Sequence, residues 1–194
     1  MISSQPDDAA PTPRRLPPAW LLDAGRVDSA VYEAITQVPT PSLDEGMRRL
    51  TRASDYSRLW LGCAAILAAS RGPAGRRAAV RGLASVAVSS FAANLVLKPL
   101  ARRRRPHSSD LLASRRARIP GSSSFPSGHS ASAFAFATGV GSVLPLEAMP
   151  IRALASVVAY SRVHTGVHYP ADVLAGAFVG TTLAQVTCRV FRHR

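Results

Sequence analysis

Three short stretches hold the residues whose types and spacing could do chemistry. Phe125–Ser130 reads Phe-Pro-Ser-Gly-His-Ser, Ser161–Asp172 reads Ser-Arg-Val-His-Thr-Gly-Val-His-Tyr-Pro-Ala-Asp, and Lys98–Pro106 is a basic run closed by proline. Pro126-Ser127-Gly128-His129 has the form of a helix start, with proline early in the turn and glycine permitting close backbone approach. Free amides at such a start, together with the helix dipole, suit a phosphate oxygen. In the last stretch, Pro170 biases Tyr169 away from the helical region and can itself open a helix. That puts His168 on the preceding turn and Asp172 in the first helical turn, within hydrogen-bonding reach of the imidazole. A carboxylate behind a histidine fixes its tautomer and raises its basicity, as a histidine nucleophile requires. Asp172 fits equally the plainer role of a helix-start acid.

The remaining polar groups are cationic. Arg162 in an apolar surrounding is costly unless it has an anionic partner or a water-filled site. His164, two residues on, has the look of a bystander. Lys98 is the one lysine beside 23 arginines, and a compact ammonium is not interchangeable with a planar guanidinium. Each group taken singly has an ordinary explanation: Lys98 snorkelling, Arg102–Arg105 solvated among headgroups, His129 at an interface. Together they offer a lysine, two arginines, a helix N-terminus, two histidines and an orienting acid. No nucleophile elbow, Walker loop or metal-ligand spacing in the sequence competes with that set.

The elements that must position them are apolar. The chain has 194 residues, 47% of them hydrophobic, and a formal net charge of +13. That length fits one domain. A soluble globule needs surface charges of both signs, and basic nucleic-acid proteins do not carry four or five apolar runs. Apolar spans with basic connections point to a membrane protein and away from nucleic acid. Abundant alanine and few aromatics predict helices packed closely through small side chains. Cys63 and Cys188 sit in apolar runs and read as buried free thiols.

In chain order, residues 1–18 read as a disordered tail and 19–54 as an amphipathic, interfacial segment. Residues 55–190 read as a membrane-embedded domain. Within the N-terminal segment, a helix over 19–38 is ended by Pro39 and Pro41, and a shorter one follows over 42–57. Five spans are expected: 58–70, 78–97, 130–146, 151–160 and 173–188, with 71–77 a turn of breakers. Gly176 and Gly180 form a small-xxx-small face on the last. The expected fold class is thus all-α, a polytopic helix bundle. Alternating the spans brings Lys98–Ser124, the start of the third span at His129, and Arg162–Asp172 to one membrane face.

Lys98-x6-Arg105-Pro106, Pro126-Ser127-Gly128-His129 and Ser161-Arg162-x5-His168-x3-Asp172 resemble the three-part signature of the type 2 phosphatidic acid phosphatases. Bacterial acid phosphatases and vanadium haloperoxidases belong to the same superfamily. The resemblance covers roughly residues 55–190. It implies His168 as the nucleophile that forms a phosphohistidine, Asp172 as its support, and His129 as the general acid. It implies Lys98, Arg105, Ser127, Gly128 and Arg162 as phosphate-binding residues, with no metal and no other cofactor. The implied substrate is a lipid phosphate, and phosphatidic acid, a polyprenyl diphosphate and a polyprenyl-phosphoryl sugar phosphate all qualify. The implied setting is the bilayer of the cell's plasma membrane. Arg102–Arg104, Arg115, Arg116 and Arg118 would concentrate anionic lipids at the mouth. Many membrane members have six spans, against the five read here. The rival readings are a vanadate-dependent haloperoxidase-like enzyme, which the apolar spans oppose, and a non-catalytic membrane scaffold, which the retained histidines oppose. Arginine counts would put the site on the cytoplasmic face, although substrate-binding arginines inflate that count.

Lys98→Arg is expected to lower phosphatase turnover although it keeps the charge, because a guanidinium is larger and directs its donors in a plane. Steady-state kinetics equal to wild type would return Lys98 to a snorkelling role.

Overall fold

The computed structural model describes residues 18–107, 111, 114–117, 119 and 121–191. The tail expected over 1–18 (save Pro18), Arg118 and the last three residues lie outside these. Among the described residues all regular structure is helical, with α1 Ala19–Gln37, α2 Pro41–Ala53, α3 Arg58–Ser70, α4 Gly72–Phe91, α5 Lys98–Ala101, α6 Gly128–Gly141, α7 Ala148–His164 and α8 Pro170–Val190. A 3-10 turn, Asp55–Ser57, joins α2 to α3. A π-helical stretch, Ala92–Leu97, joins α4 to α5. Gly72–Ala101 is therefore one continuous rod of 30 residues.

The prolines start helices here. Pro41 opens α2 and Pro170 opens α8, each in a first turn whose amide would have no intrahelical acceptor anyway. The same holds at residues 71–77, where the expected turn is instead the first two turns of α4. Gly72 takes a left-handed φ of 55° and Pro73 follows in the first turn. Gly75 tolerates no side chain, since a Cβ there would lie 2.0 Å from the Leu67 carbonyl oxygen. Both glycines thus serve the tight α3–α4 corner. The third span is shorter than expected, because α6 ends at Gly141.

The bundle is organised around α6, which carries no charged residue and is mostly buried between α4, α7 and α8. Small residues let the backbones close in. A Cβ on Gly180 would fall 2.1 Å from the Ala131 carbonyl oxygen, and one on Gly176 would fall 2.4 Å from that of Ser127. On the α4 side, Gly82 lies under the Phe136 ring, which packs at 5.5 Å on Trp60 of α3. Large apolar side chains point outward instead, among them Ile66, Val80, Phe91, Leu95, Leu174 and Phe178. Small groups within and large apolar groups without is the arrangement of helices solvated by lipid. Gly72–Ala101 and Pro170–Val190 are long and apolar enough to cross a bilayer by length and composition. Cys63 and Cys188 are free thiols, the second buried and the first only partly so.

The N-terminal segment packs against the bundle. α1 turns Asp28, Tyr32 and Thr36 inward while Trp20, Val27 and Val31 stay exposed. α2 turns Asp44 and Thr51 inward, and Thr51 Oγ1 meets Ser161 Oγ of α7 at 2.8 Å. Arg115, expected at a lipid-facing mouth, is wholly buried. Its Nε donates to Asp44 Oδ1 at 2.8 Å, and its other nitrogens donate to the carbonyls of Thr36 and Val38 at the end of α1. His164 completes this knot, with Nε2 3.1 Å from Asp44 Oδ1. A cation with that many acceptors has more to gain inside than at a headgroup.

Gly180→Ala is expected to destabilise the protein by roughly 1–3 kcal/mol, since α6 and α8 must part to admit the methyl group. Gly62, with nothing within 4 Å of its Cβ position, should accept alanine at no cost. Thermal unfolding of both variants in detergent checks the contrast.

Candidate active site

Four chain segments end on one cavity of about 470 Å³, lined by Asp55, Lys98, Arg105, His129, Arg162 and His168 among others. Lys98 arrives at the end of the long rod, His129 in the first turn of α6, Arg162 in the last turn of α7, and His168 on the turn before α8. The three stretches singled out in the sequence therefore meet. A larger apolar groove, about 640 Å³, opens at the far ends of α3 and α7. It holds no histidine, and its charges, Arg71 and Glu147, pair with each other at 3.5 Å. The chemistry belongs to the smaller, polar cavity.

His168 is held from both sides. Its Nδ1 lies 3.5 Å from Asp172 Oδ2, a long contact, and its Nε2 lies 3.2 Å from Arg105 Nη1. With a carboxylate facing one nitrogen and a guanidinium donor facing the other, the proton belongs on Nδ1 and the lone pair on Nε2. Burial, reinforced by the charges of Arg162 and Arg105 and opposed by Asp172, lowers the imidazole to about 3. His168 is thus neutral at physiological pH, the form able to attack. The turn that presents it depends on Gly166, whose φ is 70°. A Cβ there would also lie 1.8 Å from Leu111 Cδ1. The amides of Val167 and His168 both donate to the Arg162 carbonyl, at 3.0 and 3.1 Å.

Asp172 is buried and fully engaged. Oδ2 accepts the Tyr169 amide at 3.0 Å, capping α8, while Oδ1 accepts Arg103 Nη1 at 2.8 Å. Of the two roles read from the sequence, the helix-start acid is seen directly in the bond to the Tyr169 amide, and the same carboxylate lies 3.5 Å from His168 Nδ1. Ser127 is also buried, and its Oγ accepts from the Ser130 amide and hydroxyl at the start of α6. Its hydroxyl stands behind the cavity as a cap, and the wall itself is formed by Gly128. A Cβ at Gly128 would come 3.2 Å from Asn94 Oδ1 and 3.5 Å from Lys98 Nζ.

The cations are held apart from carboxylates. Lys98 Nζ donates to Asn94 Oδ1, one turn earlier on the same rod, at 2.7 Å. Arg105 donates to the carbonyls of Ser122, Ser123 and Val167. Arg162 is nearly fully buried, and its Nε has no hydrogen-bond partner among the described residues. Burying an ion without a counter-charge costs on the order of several kcal/mol. Arg162, with the half-buried Lys98 and Arg105 beside the amides of a helix start, makes a site for a multiply charged anion.

The sequence reading missed four contributors. Asp55 Oδ1 lies 2.9 Å from His129 Nε2, on a turn where Tyr56 and Ser57 take left-handed φ of 54° and 59°. Asn94 orients Lys98, while Arg103 and Asp28 stand behind Asp172. Asp55 and Asp28 lie far from the three motifs in sequence and carry no local signal. Arg103 was visible only as one arginine in a run of four.

A family model described as the PAP2 superfamily matches residues 78–194. A decaprenylphosphoryl-5-phosphoribose phosphatase of Mycolicibacterium smegmatis is 32% identical over 158 residues, covering 80% of this chain and 84% of that one. The crystal structure of a transmembrane PAP2 type phosphatidylglycerolphosphate phosphatase from Bacillus subtilis superposes with a TM-score of 0.68 at 26% identity, over 88% of this chain and 87% of that one. Aquifex aeolicus LpxE gives a TM-score of 0.69 at 21% identity, over 84% and 95% of the two chains, a likeness of fold.

The low pKa of His168 carries a stability consequence. An unfolded histidine titrates near about 6.5, so between that value and about 3 the unfolded chain takes up a proton that the folded one refuses. This group therefore adds stability above pH 6.5 that is lost as pH falls toward 3. In detergent, His168→Gln is expected to show a shallower fall in melting temperature between pH 7 and pH 4.5 than wild type. Parallel curves would remove His168 as a buried neutral group.

Proposed function

The chain belongs to the PAP2 superfamily, and from that premise we propose that it is a bilayer-embedded lipid phosphate phosphatase acting through a phosphohistidine. The observation that carries the reading is the His168 ring in one cavity with Lys98, Arg105 and Arg162, none of which is ion-paired with a carboxylate among the described residues. Lys98, Arg105 and Arg162 hold the phosphoryl oxygens with the Gly128 amide, and Ser127 keeps that amide in place by capping α6. Nε2 attacks phosphorus while Nδ1–H stays on Asp172. The bond to the leaving oxygen breaks as His129, entering this step as the imidazolium beside Asp55, delivers a proton to it and is left neutral. Water, losing a proton to His129, then attacks the phosphohistidine, releasing phosphate and restoring neutral His168. The chain's own cations neutralise the charge that grows on the phosphoryl oxygens, so no divalent metal is needed.

The substrate that best fits is a polyprenyl-phosphoryl sugar phosphate. Beside the cations the cavity carries Ser54, Ser57, Ser90, Asn94 and Ser132, groups that suit a hydroxylated headgroup better than a bare glycerolipid. The relative matched over most of the chain is named for a substrate of that class. The pocket is made of helix ends, so it lies at headgroup depth and the lipid tail stays in the bilayer, which we take to be the plasma membrane.

Phosphate release by detergent-purified protein, in EDTA, tests this. A polyprenyl-phosphoryl pentose phosphate in mixed micelles is expected to give a higher kcat/KM than phosphatidic acid or a soluble pentose phosphate. His168→Ala should abolish turnover and His129→Ala should slow it by roughly 10²–10⁴-fold. Turnover near wild type in His168→Ala would remove the phosphohistidine. Preference for phosphatidic acid would overturn the sugar phosphate alone, and dependence on added magnesium would overturn the metal-free mechanism.

A further inference from the structure

Behind the His168–Asp172 pair runs a second line of contacts that leads out of the family-matched stretch. Asp172 Oδ1 accepts from Arg103 Nη1 at 2.8 Å, and the other arm of the same guanidinium, Nη2, donates to Asp28 Oδ2 at 2.5 Å. Asp28 Oδ1 in turn accepts the amide of Ala171 at 2.8 Å. Ala171 directly precedes Asp172, so the contacts close a ring through Asp172, Arg103, Asp28 and the backbone beside Asp172. The Arg103 guanidinium also lies over the Tyr169 ring at 4.5 Å, and Tyr32 of α1 packs on the same ring at 5.3 Å. Asp28 is only 8% exposed and belongs to α1, well before residue 78, where the family match begins.

Two physical effects follow from that ring. A guanidinium paired with one carboxylate can pivot about it, whereas one held between two carboxylates has a fixed plane. The Ala171 amide is among the first N–H groups of α8 that no helical carbonyl can satisfy, and a carboxylate there fixes the helix start and suits its dipole. Both effects restrain Asp172, whose lone pair keeps the proton on His168 Nδ1. We propose that Asp28 is a positioning residue for phosphoryl transfer, acting on Asp172 and His168 through Arg103 and the Ala171 amide. The inference rests on the phosphatase reading given above.

The test uses the full chain in mixed micelles, with kcat and KM measured for wild type, Asp28→Ala, Asp28→Asn, Arg103→Ala and the double alanine variant. Asp28→Ala is expected to lower kcat roughly 10- to 100-fold, as small misplacements of reacting groups do, with KM within about twofold. Asp28→Asn should fall between, because its amide oxygen still accepts the Ala171 N–H while the charge that fixes Arg103 is gone. The double variant should lose less than the product of the two single losses, since in Arg103→Ala the Arg103 route is already gone and only the Ala171 contact of Asp28 remains to be removed. Glu33→Ala, on the exposed side of the same helix, should leave kcat unchanged. Wild-type kcat in Asp28→Ala, or multiplying losses in the double variant, would overturn the inference and leave the phosphatase reading standing. If Asp28→Ala does not fold, the near-isosteric Asp28→Asn decides, and wild-type kcat in it is likewise contrary. A wild-type protein inactive on every lipid phosphate would overturn the phosphatase reading and this inference with it.

Discussion

The structure depends on one buried carboxylate. Asp172 has no exposed surface, and an ionised group in that position persists only if donors surround it. Arg103 and the Tyr169 amide supply them, with the His168 ring 3.5 Å away. Its backbone matters as much as its side chain, because the Asp172 carbonyl accepts the Ser127 amide at 2.9 Å. One residue thereby caps α8, backs His168 and ties the start of α8 to the start of α6. The distance between the two histidines is consequently set by a hydrogen bond between helix starts and does not rest on the flexibility of a loop.

Close helix packing makes that bond possible. Gly176 and Gly180 let α8 run against the backbone of α6, and Gly82 and Gly139 do the same between α4 and α6. Dispersion between backbones replaces the burial of large side chains, which are turned outward instead. The same scaffold tolerates a site that is poorly satisfied by itself. Arg162 is buried with an idle Nε, and Tyr56 and Ser57 hold left-handed backbone at the rim.

Much of this was legible in the sequence because it is local. Helix starts at Pro170 and Gly128 follow from proline and serine chemistry, whereas Pro41, read as ending α1, opens α2; α3 runs over the residues its apolar pattern predicts. The convergence of Lys98, His129, Arg162 and His168 followed from counting spans in alternation. What could not be read was pairing between distant segments. Arg115 looks like any basic residue in a connection, yet it is buried against Asp44, 71 positions away. Asp55 is 74 positions from His129, and Asp28 is 75 from Arg103. Glycine and proline at 71–77 misled for another reason, since the residues that break a helix also begin one and only the neighbouring helix decides which.

The solitary lysine has a practical meaning. Every other fixed cation in the chain is a guanidinium, so the protein has a single side-chain amine, and it opens into the polar cavity beside Asn94 and Gly128. Amine-directed reagents are therefore confined to one internal address, plus the chain terminus. A fluorophore, an isotope label or a photocrosslinker introduced by acylation would report from inside the pocket without any cysteine having to be engineered.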